Sequence, residues 1–188
     1  LQEKPMHPYE MASTLRERGK DGNVKLNTGS LYDTVESLVR HEWIEAVATV
    51  RDGNRPERTV YATTGRGQAE FVRWVDELIR VPAVEHPKFL AAVSYLGALE
   101  PAVAAEALDE RAGHLARQAG ELRELLAATV GSGQLPRLFM IEGEYALHAL
   151  EAELAWTRRT AGEIRSGALA WPGPDWNSGK AADGQVRS

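Results

Sequence analysis

The chain has 188 residues, 43% of them hydrophobic, with no cysteine and a formal net charge of −5. That length allows two small domains and that hydrophobic content suits a globular protein; the missing cysteine excludes disulfides, thiolate metal sites and cysteine nucleophiles. The acidic balance excludes a generic nucleic-acid coat, and residues 1–80 are near neutral, with 12 Lys/Arg against 13 Asp/Glu, so any DNA binding must come from local placement of charge.

No apolar run reaches the roughly 20 residues that cross a bilayer, and none resembles a signal peptide. A cytoplasmic protein that avoids membranes is expected. The chain opens at Leu1, so the native start is expected to be missing.

Residues 7–19, "HPYEMASTLRERG", read as a helix that Pro8 starts in its first turn and Gly19 ends, with Met11 and Leu15 on one face. Residues 20–27 form a polar connector. A second helix runs from about Thr28 to His41, with Leu31, Val35, Leu38 and Val39 at core-facing spacing. At its front, Asn27, Thr28, Gly29 and Ser30 crowd together. They suit either N-capping or close approach to a phosphate.

"WIEAVATV" (43–50) alternates Ile44, Ala46, Ala48 and Val50 with Trp43, Glu45, Val47 and Thr49. With "RTVYAT" (58–63) and the Asp-Gly turn signal between them, it reads as a hairpin that must lie on the preceding helices. Helix, helix, hairpin is the outline of a winged helix-turn-helix. "TTGRGQAEFVRWVDELIRV" follows as a helix with Phe71, Val72, Val75, Leu78 and Ile79 apolar, and the prolines of "VPAVEHP" mark a domain boundary.

The second half reads as helical. "KFLAAVSYLGAL" is a short apolar helix ending before Pro101. Over 101–128, Leu108, Ala112, Leu115, Ala119, Leu122 and Leu126 are spaced 4, 3, 4, 3, 4, a heptad seam whose small residues allow close helix approach. Pro136 opens a long helix to about Ser166, apolar on two faces: Leu138, Ile141 and Tyr145 on one, Leu147, Leu150 and Leu154 on the other. Two apolar faces need two partners, which points to a dimer. The Gly- and Pro-rich end reads as disordered.

The motifs do not assemble a catalytic or metal site. "HEWIE" (41–45) places Glu45 where a zinc-protease motif needs its second His, and "GRGQAE" (65–70) lacks the third Gly and the βαβ setting of a dinucleotide fingerprint. The histidines at 7, 41, 86, 114 and 148 form no ligand spacing. Neither an enzyme nor a cofactor is expected.

Three stretches resemble the PadR family of bacterial transcriptional regulators. "PMHPYEM" is similar to the family's Pro-His-Gly-Tyr-Glu opening of a helix, with Pro8 where glycine is commoner. "LNTGSLYDTVESLVRHEWIE" is similar to its Thr-Gly-Thr-Leu-Tyr recognition-helix signature, and "RTVYATTGRGQAEF" to its Arg-x-x-Tyr-x-x-Thr-x-x-Gly exit from the wing. They cover residues 5 to about 71 in order. The second half resembles the subgroup with a large helical dimerisation domain, and the family's first helix is mostly absent.

The resemblance implies a mainly α fold with a small β-hairpin. It divides into an N-terminal winged helix-turn-helix (1–81), a C-terminal helical, coiled-coil-like dimerisation domain (86–167) and a disordered tail (168–188). It implies that Thr28 onward enters the DNA major groove, where Asn27, Thr28, Gly29 and Ser30 meet phosphate. Tyr32 contacts phosphate or packs. Asp33, Thr34 and Ser37 lie off the apolar stripe and face base edges, and Tyr9 and Lys25 touch the backbone. Arg51, Asn54, Arg55 and Arg58 are wing contacts, with an ion pair to Asp52 or Glu57 as the other role for Arg58.

Trp74, Phe89, Tyr95, Phe139, Tyr145 and Trp156 are candidates to stack on a small aromatic effector, or are core. The expected function is a homodimeric repressor on an inverted-repeat operator, relieved by that effector. A winged-helix adaptor without DNA binding is the alternative.

Overall fold

A computed structural model describes residues 1–18, 28–51, 57–132 and 136–171, with the backbone alone at 28–29 and 130–132. The chain divides into two compact units, Leu1–Glu85 and His86–Ser188.

In the first unit, α1 (Pro8–Glu17) starts with Pro8 at a first-turn position, where no N–H is missed, and His7 caps it by accepting the Glu10 N–H at 3.1 Å. It stops at Glu17, two residues before the expected Gly19. Just ahead of it, Met6 exchanges both backbone hydrogen bonds with Tyr61 (3.1 and 3.0 Å), which ties the chain to the hairpin. Helix α2 (Thr28–Arg40) buries Val35 at 3% exposure and half-buries Leu31 and Leu38. Val39, expected in the same stripe, is 39% exposed: it sits at the stripe's margin, on the last turn.

The end of α2 is a left-handed cap on a residue that is not glycine. Glu42 has φ +60, its N–H donates to Val39 O (2.9 Å) and the Trp43 N–H donates to Leu38 O (3.0 Å). This double bond pattern closes the orphan carbonyls of the last turn. It also reverses the chain straight into β1 (Ile44–Val50), which pairs antiparallel with β2 (Arg58–Thr63).

The alternation expected through 43–50 breaks, because the register shifts between Ala46 (opposite Tyr61) and Ala48 (opposite Val60). A bulge flips side-chain parity and sharpens the twist, so only Ile44 of this strand is buried.

Helix α3 (Gly65–Arg80) begins on Thr64, whose hydroxyl accepts the Gly67 N–H at 3.0 Å and donates to Glu42 O at 2.7 Å. The Thr64 N–H donates to Trp43 O at 3.0 Å. A Cβ on Gly67 would stand 1.9 Å from that same carbonyl oxygen, so only glycine lets α3 start there. The apolar residues of α3 are exposed, reaching 80% at Ile79. Periodicity marks which residues favour burial but not what covers them.

In the second unit, α4 (Lys88–Val93) passes into a three-residue turn at Leu96–Ala98, so the apolar stretch expected as one helix is two pieces. Helix α5 (Pro101–Ser132) packs along α6 (Ile141–Ser166), and both wrap a core of Ala104, Ala105, Leu108, Ala161 and Ile164. Leu108, Ala112, Leu115 and Ala119 of the heptad seam are buried within the chain, against α6.

Pro136 opens a short turn at Arg137–Phe139 rather than α6 itself, which starts at Ile141. Gly167 (φ +73) ends α6. The segment expected to be disordered from 168 stays packed through Trp171, whose indole N–H donates to Leu99 O at 3.0 Å and whose ring lies on the core. A large apolar ring with its N–H satisfied suffices to hold it. Among the described residues, no helix is long and apolar enough to cross a membrane.

The Gly67 contact sets a first test. Gly67→Ala is expected to destabilise the protein by ~3 kcal/mol or more, at or above the usual range for overpacking, in urea unfolding followed by circular dichroism. Gly65→Ala, with open space around its Cβ position, serves as the control and is expected to change stability by less than ~1 kcal/mol. Equal midpoints for the two variants would show that the Trp43 carbonyl yields.

Candidate nucleic-acid interface

The predicted interface residues lie on three elements of Leu1–Glu85. From α1, Tyr9 stands 65% exposed. From α2, Tyr32 is 50% exposed, with Ser30, Asp33 and Thr34 exposed beside it and Ser37 half-buried one turn on. From the hairpin come exposed Arg51 and half-buried Arg58. Lys25, Asn27, Asn54 and Arg55 lie outside the described residues, as do the side chains of Thr28 and Gly29, although α2 starts at Thr28 as expected.

Three of these residues, from three elements, share one place. Tyr9, Tyr32 and Arg58 line a cleft of about 340 Å³ together with His7, Glu36 and Tyr61. The folding reasons are local. The His7 cap and Pro8 fix where α1 begins, the Met6–Tyr61 pairing holds that start against β2, and buried Val35 holds α2 on the other side. Arg58, at the first position of β2, then reaches back over α1. Its guanidinium lies 5.7 Å from the Tyr9 ring centre, and Nη1 is 3.4 Å from His7 Nε2.

Glu57, an expected partner for Arg58, forms no ion pair with it; the other, Asp52, lies outside the described residues. Sequence reasoning missed His7 as a site residue; the signal was its place immediately before a first-turn proline, where a side chain must face the helix start.

The charge on this unit is unevenly committed. Arg18 pairs with Glu3, Arg66 with Glu42, Arg73 with Glu70 and Glu77, and Arg80 with Asp76. The Arg18 and Arg73 guanidinium groups hold the carboxyls of Glu3 and Glu70 below their ordinary range through hydrogen bonding. Among the described residues, Arg51 and Arg58 have no carboxylate partner. A nearly neutral unit therefore keeps two uncommitted cations on its hairpin, beside the exposed side of α2.

That side of α2 is rich in acceptors. The Thr34 hydroxyl donates to Ser30 O at 2.7 Å, which leaves its oxygen to accept, and the ionised Asp33 carboxylate only accepts. Together they suit groups that donate.

The six aromatics considered for an effector are divided between the two units, one in the first and five in the second. Trp74 belongs to the first unit and packs edge-on to Trp43 at 5.2 Å. In the second unit, Tyr95, Phe139 and Tyr145 are largely exposed. Phe89 and Trp156 do meet, edge to face at 5.9 Å, and line a pocket of about 500 Å³ with Arg111, whose guanidinium lies 3.6 Å above the Phe89 ring. Arg111 also donates from Nε to Glu153 Oε1 at 2.7 Å.

Against this geometry stand the comparisons with known proteins. Residues 1–73 match the family model described as the transcriptional regulator PadR-like family. PadR of Bacillus subtilis in complex with operator DNA is 15% identical and superposes with a TM-score of 0.72 over 87% of this chain and 94% of that one. The same protein with p-coumaric acid is 14% identical at a TM-score of 0.70, covering 88% and 94%. A PadR-like transcriptional regulator of Bacillus cereus is 15% identical at 0.59, covering 88% and 93%. At such identities the likeness speaks for the fold. A reducing polyketide synthase of Floropilus chiversii is 34% identical over 142 residues, 67% of this chain, and the chain spans 6% of that protein's length. So short a share carries nothing of its activity.

Proposed function

We propose, for a chain whose residues 1–73 match the PadR-like transcriptional regulator family model, that it is a homodimeric repressor that binds DNA sequence-specifically and is released by a small aromatic acid. The observation that carries this is the convergence of Tyr9, Tyr32 and Arg58, from three elements, on one cleft beside the exposed side of α2. Residues 1–81 bind the operator and residues 86–167 dimerise.

The N-terminal half of α2 enters the major groove, with Thr28, Gly29 and Ser30 at its tip against phosphate. Two copies sit about 34 Å apart on an inverted repeat. Tyr9, Tyr32, Arg51 and Arg58 hold the backbone, which positions the helix without reading sequence. Lys25, Asn27, Asn54 and Arg55 extend the same contact. Asp33 and Thr34, as acceptors, read exocyclic amines, those of cytosine or adenine, so the half-site carries such a base at that step. Ser37 lies at the far end of this row.

Dimerisation uses an exposed apolar surface at the start of α6: Leu138 in the turn before it, and Ile141 and the 75%-exposed Tyr145 on its first turns. The effector site is the Phe89–Trp156 pocket, where the rings stack on an aromatic acid and Arg111 exchanges Glu153 for its carboxylate. Bound effector changes the spacing of the recognition helices and releases DNA. Trp74, Tyr95, Phe139 and Tyr145 line no part of that pocket within one chain and are assigned to packing and dimer contact.

Fluorescence anisotropy on the DNA upstream of this protein's own coding region tests the reading. Salt-sensitive, sequence-selective binding is expected. Arg51→Ala should weaken operator and random DNA alike and lower the salt slope by about 1. Asp33→Ala should cost ~1–3 kcal/mol on the operator only. Binding no tighter than to random DNA, here and in a genome-wide selection, would retire the repressor in favour of an adaptor. Tyr145→Glu should give monomers by analytical ultracentrifugation with helicity unchanged. For the effector, Trp156→Ala and Arg111→Ala should each abolish release by p-coumaric acid or a close aromatic acid while leaving operator affinity intact; release that survives both would move the effector elsewhere.

A further inference from the structure

His7 meets Arg58 in a way that neither side chain can satisfy alone. Its Nδ1 accepts the Glu10 N–H at 3.1 Å as the cap of α1. An accepting ring nitrogen carries no proton, so the neutral imidazole holds its proton on Nε2. That nitrogen lies 3.4 Å from Arg58 Nη1, and a guanidinium has donors only. Two donors therefore face each other in the lining of the cleft.

The acids nearby do not resolve the contact. Glu36 and Glu57 line the same cleft, yet neither bonds to His7 or Arg58 among the described residues. The Tyr9 ring under Arg58 limits where the guanidinium can turn.

We infer that His7 and Arg58 form a clamp for a single phosphate of the DNA backbone, His7 donating from Nε2 and Arg58 supplying the charge. Both donors converge on one acceptor, and a phosphate oxygen takes two hydrogen bonds readily. The inference rests on the DNA-binding reading above and deepens it. It names the group bound in the cleft and adds a residue with a second duty, because the ring that fixes the start of α1 also fixes the protein's position on the duplex.

Two variants of the full chain separate the parts. His7→Asn keeps a favoured capping side chain but does not reach the Nε2 position. Arg58→Gln removes the charge. Anisotropy is read on operator and random duplexes at several salt concentrations. His7→Asn is expected to weaken both duplexes equally, about tenfold for a hydrogen bond to a charged group, with the salt slope unchanged. Arg58→Gln should weaken both and lower the slope by about 1. The double variant should lose less than the product of the two, since both serve one phosphate.

Wild-type affinity in a His7→Asn variant of unchanged melting temperature would overturn the clamp, and so would a loss confined to the operator. Should His7→Asn fail to fold, nitrogen-15 NMR of the wild-type ring decides. The Nε2-protonated tautomer, with a shift centred on Nε2 when a short random duplex is added, supports the clamp; a proton on Nδ1 or an unmoved ring overturns it. Wild-type protein that binds no DNA at any salt would instead sink the DNA-binding reading itself, an outcome no variant pattern imitates.

Discussion

The peptide group of Trp43 is the joint on which the winged unit turns. Its N–H donates to Leu38 O and closes α2; its carbonyl oxygen accepts the Thr64 N–H and meets Gly67 where any Cβ would collide. One residue thus ends α2, begins the hairpin and receives the next helix. Around it, the Thr64 hydroxyl reaches Glu42 O, and the Trp43 ring stacks on His41 at 4.8 Å and takes the edge of Trp74. Buried polar backbone must be paired, and here the pairing doubles as registration between elements far apart in sequence.

This joint gives the motif in "RTVYATTGRG" a physical content at each of its four marked places. Arg58 reaches across to His7 and Tyr9; Tyr61 pairs with Met6; Thr64 caps α3; Gly67 vacates the space that the Trp43 carbonyl occupies. The last spacing of three is that of a helix start, where the N-cap Thr64 accepts the N–H of Gly67.

Element identity was legible because it is local. Pro8 after a capping residue, the Val35 stripe and the alternating Leu and Ala of α5 announce themselves within a window of a dozen residues. What stayed hidden is long-range. Nothing near Gly67 in sequence marks the carbonyl of Trp43 as its neighbour, and nothing in "WIEAVATV" marks the bulge that breaks its alternation. The exposed face of α3 is the same lesson in reverse, since amphipathicity states a demand and leaves the supplier unnamed. The family resemblance singled out Tyr9, Tyr32 and Arg58 one by one, but their meeting at one cleft needed the Met6–Tyr61 pairing that folds the chain before α1 onto β2. The aromatics considered for an effector show the limit most plainly: composition offered six, and it took the fold of the second unit to set Phe89 against Trp156.

The seam between α5 and α6 has a mechanical consequence. Half of its buried residues are methyl-sized, Ala104, Ala105, Ala112, Ala119 and Ala161, with Thr157 and Thr160 beside them and Leu108, Leu115 and Ile164 as the larger knobs. Shallow knobs interlock weakly along the helix axis while still holding the helices close across it. Such a surface is stiff against separation and compliant in shear, the mode by which packed helices slide by small steps. The ion pairs that bridge it, part-buried Arg111 with Glu153 and the more exposed Arg123 with Glu151 and Arg165 with Asp109, act like detents on a slide: cheap to leave, and able to favour one stop over the next.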